Sequence, residues 1–378
     1  MTKLITFDQV SADGTINFSI GQPSADLLPL DIIQSASDHF FKHAVPQDIN
    51  YGPSKGDERF LNTLANFLTE RYGKPADVES LFVTCGNSQA LDFVCSMFSK
   101  PGDTIFVEEP SYFLATQIFR DNHLHIVGIP TDENGLDVDR LEAELKNTKP
   151  SLLYTIPVFH NPGGQTLSAE RRKRLIELSK QYGFLIVADE VYQMLNYYEQ
   201  PPDPFGTMID SDTVLSLGSF SKILAPGMRL GWIQASHQLI DRLSLSGFIN
   251  SGGSVNQFTS QIVKSAIDLG LLNTHLEKIR NIYRSRLEAM DTALNEIFGD
   301  VATWIHPDGG YFFWIKLNDD IDTDKLKQVA LEHKTGFQPG ALFSSGRNFK
   351  NYLRLSFASY NESDIKEGIA RLKPVFGL

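Results

Sequence analysis

The sequence has only two cysteines, Cys85 and Cys95, among its 378 residues. Such a low count argues against a disulfide framework and fits a reducing compartment, and the two are badly spaced for a metal site. The sequence also has no long apolar run. The longest ones, such as residues 184–188, are far too short to span a bilayer. No basic region followed by an apolar stretch opens the chain, so we expect a cytoplasmic protein.

Basic residues are outnumbered, with 34 Lys and Arg against 46 Asp and Glu, which gives a formal net charge of −12. This balance argues against a nucleic-acid partner and against binding to an anionic membrane, and plain solubility explains it. The apolar content of 42% is sufficient for a sizeable core, and the length suggests about two domains.

Strand-like and helical patterns alternate along most of the chain, without internal repeats or low-complexity segments. Short apolar runs that are typical of strands lie at residues 80–84, 104–107, 125–129, 151–156, 184–188 and 213–217. Amphipathic helical stretches separate several of them, which predicts an α/β fold with a mostly parallel sheet covered on both faces. A long charged helix over residues 274–298 then leads to a smaller α+β region.

We therefore expect three parts in the chain. Residues 1–50 form an N-terminal arm and part of a small domain, residues 51–273 form a large domain, and residues 274–378 form an interdomain helix and the rest of the small domain. Because ligands gather at the carboxyl ends of parallel strands, the residues that follow each strand are the candidates for function.

Two of these strand ends carry weak signals. Gly86, Asn87 and Ser88 open a helix, where free backbone N–H groups suit an anion, although the two polar residues could simply cap the helix. Tyr112 follows the next strand and could stack on a flat ring or be an ordinary half-buried aromatic residue.

Two further strand ends carry polar groups. Asn161, in a turn rich in Pro and Gly, offers an amide to a ligand, or serves only as a turn former, and His160 beside it is assigned a structural role. Asp189 ends a buried strand, and a buried carboxylate needs a cationic partner. Glu190 is expected to point the other way and to hold structure.

The stretch over residues 216–232 places Lys222 in a tight, polar loop between two apolar runs. A partly dry environment would lower the pKa of this lysine and make it a usable amine nucleophile, whereas the simpler reading is a surface lysine. Arg229 could pair with an anion or with Asp or Glu. One cofactor explains all five strand ends, because pyridoxal phosphate needs an amine, a phosphate nest, a carboxylate, a hydrogen-bond donor and a stacking ring.

The order of these motifs resembles that of the class I/II aminotransferases, which are fold type I pyridoxal-phosphate enzymes. The resemblance spans nearly the whole chain and is most specific at Ser219-Phe220-Ser221-Lys222, followed by Arg229-Leu230-Gly231-Trp232. The spacing looks closest to the 2-aminoadipate, kynurenine and aromatic aminotransferase branch. The implied fold is a large domain with a mostly parallel seven-stranded sheet between helices, plus a smaller α+β domain. The implied assembly is a homodimer with the active site at its interface.

The resemblance also implies a role for each motif residue. Lys222 attaches the cofactor covalently and moves the substrate's Cα proton, Asp189 pairs with the ring nitrogen, and Tyr112 stacks on the ring. Asn161 and Tyr192 hydrogen-bond the phenolic oxygen. The phosphate is held by Gly86, Asn87, Ser88, Ser219, Ser221 and Arg229, with Tyr51 reaching it from the partner subunit.

The substrate carboxylate is gripped by Arg354, with help from Asn161, from the backbone near Gly21 and from Tyr51. Arg354 lies on a predicted strand over residues 352–357, on the face opposite Leu353 and Leu355. Asn256 is a further candidate for crossing the interface.

The chain departs from the family pattern at two places. It has Asn-Pro-Gly-Gly at residues 161–164 where Asn-Pro-Thr/Leu-Gly is usual, and Gly-Asn-Ser at residues 86–88 in place of Gly-Ser-Gln. Backbone contacts survive both changes, which leaves open whether Asn87 and Ser88 contact the phosphate by side chain or by backbone.

The expected reaction moves an amino group from an L-amino acid, aromatic or 2-aminoadipate-like, to a 2-oxo acid such as 2-oxoglutarate. A β-lyase or a cyclising synthase on the same fold is the alternative. A cofactor-sensing regulator is a remote alternative, because the fifty or so residues before Tyr51 are not basic and do not resemble a winged helix.

Overall fold

The computed structural model describes residues 13–378. Their strands are β1 Ile16–Asn17, β2 Leu81–Thr84, β3 Thr104–Glu109, β4 His125–Asp132, β5 Gly135–Leu136, β6 Pro150–Thr155, β7 Leu185–Asp189, β8 Val214–Ser219, β9 Gly231–Ala235, β10 Thr303–Trp304, β11 Phe312–Lys316, β12 Thr335–Gly336, β13 Gln338–Pro339 and β14 Tyr352–Ser356. Their helices are α1 Leu30–His43, α2 Glu58–Tyr72, α3 Asn87–Phe98, α4 Phe113–Asp121, α5 Val138–Leu145, α6 Ala169–Tyr182, α7 His237–Ser244, α8 Gly247–Gly252, α9 Gln257–Asp268, α10 Leu271–Phe298, α11 Thr323–Glu332 and α12 Glu362–Leu372.

The large sheet has the strand order β2-β9-β8-β7-β6-β3-β4-β5. The run β8-β7-β6-β3-β4 is parallel throughout, while β9 is antiparallel to both of its neighbours. The predicted mostly parallel sheet of seven strands is confirmed, and the two-residue β5 adds a short antiparallel pairing at the edge beside β4. Every residue of β2 and β8 is buried, since helices cover both faces of the sheet.

Local signals in the sequence set the ends of the helices that support this sheet. The side chain of Asp57 caps α2 by accepting from the backbone N–H of Phe60, and that of Ser168 caps α6 by accepting from Arg171. Gly183 ends α6 in the left-handed conformation, with φ at 74°, which a residue without Cβ adopts readily. The chain then turns directly into β7, whose last residue is Asp189.

The smaller sheet is antiparallel and has the order β10-β11-β14-β13. Near it, β1 pairs in parallel with β12, so the chain segment before α1 is tied to elements close to the carboxyl terminus. The 28-residue α10 connects the large sheet to this region. Register in the small sheet pairs Trp314 with Arg354, which fixes the position of that arginine on β14.

Two negative findings apply to residues 13–378. No helix among them is long and apolar enough to cross a membrane. No group of three or more His, Cys, Asp or Glu side chains in the same span is arranged to hold a metal ion.

The five candidate strand ends all lie at one edge of the large sheet. The strands β2, β3, β6, β7 and β8 are parallel in direction, and each is followed within a few residues by a candidate side chain or ends on one. Because the carboxyl ends of such strands open on the same side, the fold gathers the candidates into one place.

Candidate active site

Lys222 lies in the loop after β8 with its side chain turned inward. Its Nζ donates a hydrogen bond to the backbone carbonyl of Gly21 at 3.0 Å and lies 5.3 Å from the centroid of the Tyr311 ring. Burial, and then the positive charge of Arg354, lower the pKa of Lys222 to about 8. About a tenth of this amine is therefore neutral and nucleophilic at pH 7, far more than for an ordinary lysine.

Asp189 ends β7 with only 5% of its surface exposed. One carboxylate oxygen accepts from the side-chain amide of Asn87 at 2.6 Å, and the other accepts from the hydroxyl of Tyr154 at 2.8 Å. Burial raises the pKa of Asp189 in spite of these hydrogen bonds. No cationic side chain forms an ion pair with it in the described part of the chain, so its charge calls for a cationic partner from outside the chain.

Tyr154 was missed by the sequence reasoning, although a signal for it exists. It lies in the fully apolar part of β6, where its hydroxyl has to find a partner because the side chain is completely buried. Since β6 pairs with β7, with Tyr154 opposite Val187, the carboxylate at the end of β7 is the nearest acceptor. A tyrosine in a buried strand that neighbours the strand of a candidate carboxylate therefore predicts a hydrogen bond from its hydroxyl to that carboxylate.

Polar donors converge at the amino end of α3. Gly86 caps this helix with φ at 78°, and a Cβ at this position would lie 3.2 Å from a guanidinium nitrogen of Arg229, so glycine leaves room there. Within residues 13–378 the Arg229 guanidinium hydrogen-bonds only the carbonyls of Cys85 and Pro226, at 3.3 and 3.2 Å. The hydroxyl of Ser219 lies 3.0 Å from that of Ser221.

This group contains N–H donors, hydroxyls and a guanidinium, and the first turn of α3 has no acidic residue. It forms an anion cradle, defined here as Gly86, Ser219, Ser221 and Arg229, whose chemistry suits a phosphate. Asn87 belongs to the same helix start, but its side chain is directed to Asp189, and its Oδ1 is buried without a partner among residues 13–378. Ser88 is exposed.

Arg354 is 3% exposed and lies within a polar and aromatic enclosure. Its guanidinium donates to the side-chain oxygen of Asn161 and to the backbone carbonyl of Ser19, both at 2.8 Å. The rings of Phe312 and Phe343 cover it, with centroids 4.1 and 5.0 Å away.

Burial lowers the pKa of Arg354 to about 10. No carboxylate pairs with this guanidinium in the described span, and its Nε has no partner there. A buried guanidinium in that condition suits a carboxylate that arrives with a ligand. As predicted, Arg354 lies on the face of β14 opposite to that of Leu353 and Leu355. Both faces of this strand are buried at these positions.

The remaining candidates divide into two groups. Tyr112 and Tyr192 lie within the site, close enough to Asp189 and Arg354 for both charges to act on the two hydroxyls. Burial raises the pKa of Tyr112 to about 12. The ring of Tyr192 also contacts Tyr311, at 5.5 Å between centroids.

Tyr51 is placed differently, with 84% of its surface exposed. Asn256 hydrogen-bonds the backbone carbonyl of Arg229 within the same chain, so within one chain it supports the anion cradle. Among the residues described, Tyr51 makes no hydrogen bond or ring contact with the cradle or with Lys222.

Two neighbours of the site are structural, in agreement with the sequence reasoning. The Glu190 carboxylate accepts from the hydroxyl of Ser216 at 2.6 Å and from the backbone N–H of Phe205 at 2.8 Å. His160 accepts from the backbone N–H of Gly163 at 3.1 Å, and its other ring nitrogen lies 3.1 Å from the Glu108 carboxylate. Both side chains are almost wholly buried and tie loops to strands.

Comparison with known proteins agrees with this geometry. The model of the family described as aminotransferase class I and II matches residues 13–372. Aromatic-amino-acid aminotransferase 1 of Thermococcus litoralis is 37% identical over 368 residues, which cover 96% of this chain and 88% of that protein.

Two crystal structures are also closely similar. The multiple substrate aminotransferase of Thermococcus profundus has a TM-score of 0.90 and 33% identity, with 97% of this chain and 92% of that one covered. The kynurenine aminotransferase of Pyrococcus horikoshii, crystallised in complex with PMP and KYN as substrates and KYA as product, has a TM-score of 0.90 and 34% identity, with 96% and 90% covered.

A strand-edge site with a buried lysine, an unpaired carboxylate and an anion cradle on a large, mostly parallel sheet is the arrangement that the predicted aminotransferase family implies. The chain belongs to the class I and II aminotransferase family, and the predicted resemblance, including its branch, is confirmed.

Proposed function

We propose that this protein binds pyridoxal 5'-phosphate and transfers an amino group from an aromatic or 2-aminoadipate-like L-amino acid to a 2-oxo acid such as 2-oxoglutarate. The observation that carries the proposal is the juxtaposition of an amine of lowered pKa, Lys222, with two buried charged groups, Asp189 and Arg354, that have no ionic partner among residues 13–378.

The residues present fit the cofactor. The unpaired Asp189 carboxylate would hold a proton on the ring nitrogen, and the anion cradle would hold the phosphate. Tyr112 would cover the ring, and Asn161 and Tyr192 would hydrogen-bond the phenolic oxygen. When bound, pyridoxal phosphate supplies an electron sink for the charge that develops as the substrate loses its Cα proton.

The chain's own residues would then perform the following steps. Arg354 and Asn161 hold the substrate carboxylate and so fix the orientation of the Cα–H bond. The Lys222 amine would remove the substrate's Cα proton as a general base, and its protonated form would then give the proton back as a general acid. The backbone carbonyl of Gly21 accepts from Lys222 and that of Ser19 accepts from Arg354, so this segment holds both cationic side chains in place.

The donor preference is supported by the aromatic enclosure and by the relatives. Phe312 and Phe343 lie against Arg354, and Tyr311 lies against Lys222, so the surroundings of the two cationic side chains are largely aromatic. The similar proteins from Thermococcus litoralis and Pyrococcus horikoshii carry the names of aromatic-amino-acid and kynurenine aminotransferases. An aromatic or long apolar side chain suits such a lining.

A homodimer is part of the proposal. The loop with Tyr51 and the neighbouring α1 expose an unusual number of large apolar side chains, among them Leu30, Phe41, Ile49 and Tyr51. A second copy of the chain would bury this face and bring its Tyr51 to the anion cradle. Sedimentation equilibrium of the wild-type protein and of a Phe41→Glu variant tests this, and a wild-type monomer would refute it.

The reaction itself is tested with the purified holoprotein and single amino acids. Each is mixed in turn, the cofactor absorbance is followed, and the oxo acid is identified by mass spectrometry. We expect stoichiometric conversion of the cofactor to its amine form together with one equivalent of oxo acid, most rapidly with aromatic donors. Release of ammonia without that conversion would instead support the lyase alternative. Lys222→Ala serves as the control that retains cofactor contacts but has no turnover.

A further inference from the structure

A cavity of about 420 Å³ lies away from the cofactor site. It is enclosed by the end of α2, the segment that follows β7 and the first half of α10. Its lining includes Arg71, Gln193, Asn196 and Arg280, and none of the residues assigned above to cofactor or substrate. Its size is in the range that holds small metabolites.

Two arginines line this cavity, Arg71 and Arg280. Arg71 donates to the side-chain oxygen of Asn273 and lies 5.5 Å from the Phe67 ring centroid, while its Nε is buried without an acceptor in residues 13–378. Arg280 donates from Nε to the carbonyl of Asn196 at 2.8 Å. In the same span neither guanidinium forms an ion pair with a carboxylate.

The two guanidinium groups also repel each other. Burial, and then the positive charge of Arg71, lower the pKa of Arg280. Two like charges at one cavity raise the free energy of the protein unless an anion lies between or beside them. Arginine is the side chain best suited to bind a carboxylate through paired N–H donors.

No acidic residue of the lining forms an ion pair with either arginine among residues 13–378. Asp203 is paired with Lys74, at 2.6 Å between Oδ2 and Nζ. Glu70 is exposed and has no ion pair among the described residues. The arginine side of the cavity therefore keeps a positive charge that is open to a ligand.

Gln193 adds a second requirement for the ligand, a hydrogen-bond donor. It is 6% exposed, and its Nε2 donates to the carbonyl of Pro202 at 3.0 Å. Its Oε1 is buried and receives no hydrogen bond from any residue in the range 13–378. A buried acceptor without a donor is costly, so a ligand that brings an O–H or N–H group would be favoured here.

We propose that this cavity binds a small organic carboxylate that carries a hydroxyl or ammonium group beside the carboxylate. Arg71 and Arg280 bind the carboxylate groups, and the neighbouring hydroxyl or ammonium donates to Oε1 of Gln193. The site is separate from the aminotransferase centre, and the proposal does not depend on which substrates that centre uses.

The test measures ligand binding by isothermal titration calorimetry with the Arg354→Gln holoprotein, in which the substrate carboxylate contact is removed. The probes are L-malate, L-aspartate and succinate, which all have two carboxylates. Malate also has a hydroxyl, aspartate has an ammonium group, and succinate has neither. We expect one site per chain, with malate, aspartate or both binding at least about fivefold more tightly than succinate, which is the effect of one net hydrogen bond. The better of the two identifies the donor group.

Variants locate the binding site. Adding Arg71→Gln or Arg280→Gln should weaken binding at least about tenfold, as expected for loss of one charge-assisted contact. Arg284→Gln is the matched control, because this arginine lies on the same helix, pairs with Glu288 at 3.0 Å and does not line the cavity. It should leave binding unchanged.

Gln193→Glu gives an independent test at constant size, since it places a negative charge before the two arginines and should abolish binding. Thermal unfolding of each variant verifies that it is folded. Absence of saturable binding, or equal loss in Arg284→Gln, would overturn the proposal. Succinate that binds as tightly as both other probes would overturn the assigned ligand class.

Discussion

The side-chain amide of Asn87 donates to Asp189 at 2.6 Å, which joins the start of the helix at the anion cradle to the carboxylate at the end of β7. The sequence reasoning grouped Asn87 with the phosphate contacts, and the side chain instead has an acceptor of its own. The backbone N–H of Asn87 lies in the first turn of α3, so a backbone contact with the phosphate stays a prediction.

Asn87→Ala should therefore reduce turnover more than cofactor affinity. Loss of one charge-assisted hydrogen bond to Asp189 destabilises the carboxylate by about 1.5–3 kcal/mol, and we expect kcat to fall about tenfold or more. Cofactor affinity, measured by titrating the apoprotein with pyridoxal phosphate, should change only a few-fold. A large loss of affinity at unchanged kcat would show that the side chain binds the phosphate directly.

Tyr154→Phe should act on the same carboxylate from the other side. The variant removes only the hydroxyl that donates to Asp189 at 2.8 Å and keeps the ring that packs against Phe119. We expect the protein to fold, KM to stay within about twofold, and kcat to fall about tenfold. Steady-state kinetics provide the check, with Tyr197→Phe as a control because its buried hydroxyl donates to the carbonyl of Gly310. Equal losses in both variants would contradict a specific role of Tyr154.

Attachment of the cofactor to the apoprotein should depend on pH through Lys222. Because only the neutral amine is nucleophilic and the pKa of this lysine is lowered to about 8, the rate should rise as pH rises through 8 and level off above it. Well below pH 8 the rate should fall about tenfold per pH unit. Stopped-flow absorbance between pH 6 and 10 measures this, and a midpoint near the ordinary lysine pKa would contradict the lowered value.

The sequence predicted the location of those site residues that lie at the end of a strand or just after it. Asp189, Lys222 and Gly86 follow or end buried strands, and the common direction of these strands brings their ends together. The contacts of Arg354 were less predictable, since Ser19 reaches it from 335 residues away along the chain.

One hydrogen-bond partner of the Asp189 carboxylate, Asn87, was also beyond the sequence pattern. Asn87 is 102 residues from Asp189 along the chain, and which of its polar groups faces that carboxylate depends on helix packing. The exposure of Tyr51 was likewise beyond the sequence pattern, because the alternation of polar and apolar residues does not show which large apolar side chains stay on the surface of one chain.

Arg354→Lys should separate carboxylate binding from the rest of the reaction. Lysine keeps a positive charge but loses the planar arrangement that donates to Asn161 and Ser19 and stacks between two phenylalanine rings. We expect kcat/KM for an aromatic amino acid to fall about a hundredfold, which corresponds to about 2.7 kcal/mol of lost transition-state stabilisation.

An aromatic amine without a carboxylate is the matched probe for this variant. Because it has no group for Arg354 to bind, its low kcat/KM should be the same in the variant and in the wild type. Competition experiments with the corresponding carboxylic acid should show weaker inhibition of the variant. If the amine lost as much activity as the amino acid, the role of Arg354 would lie in the architecture of the site, because a carboxylate contact would leave the amine unaffected.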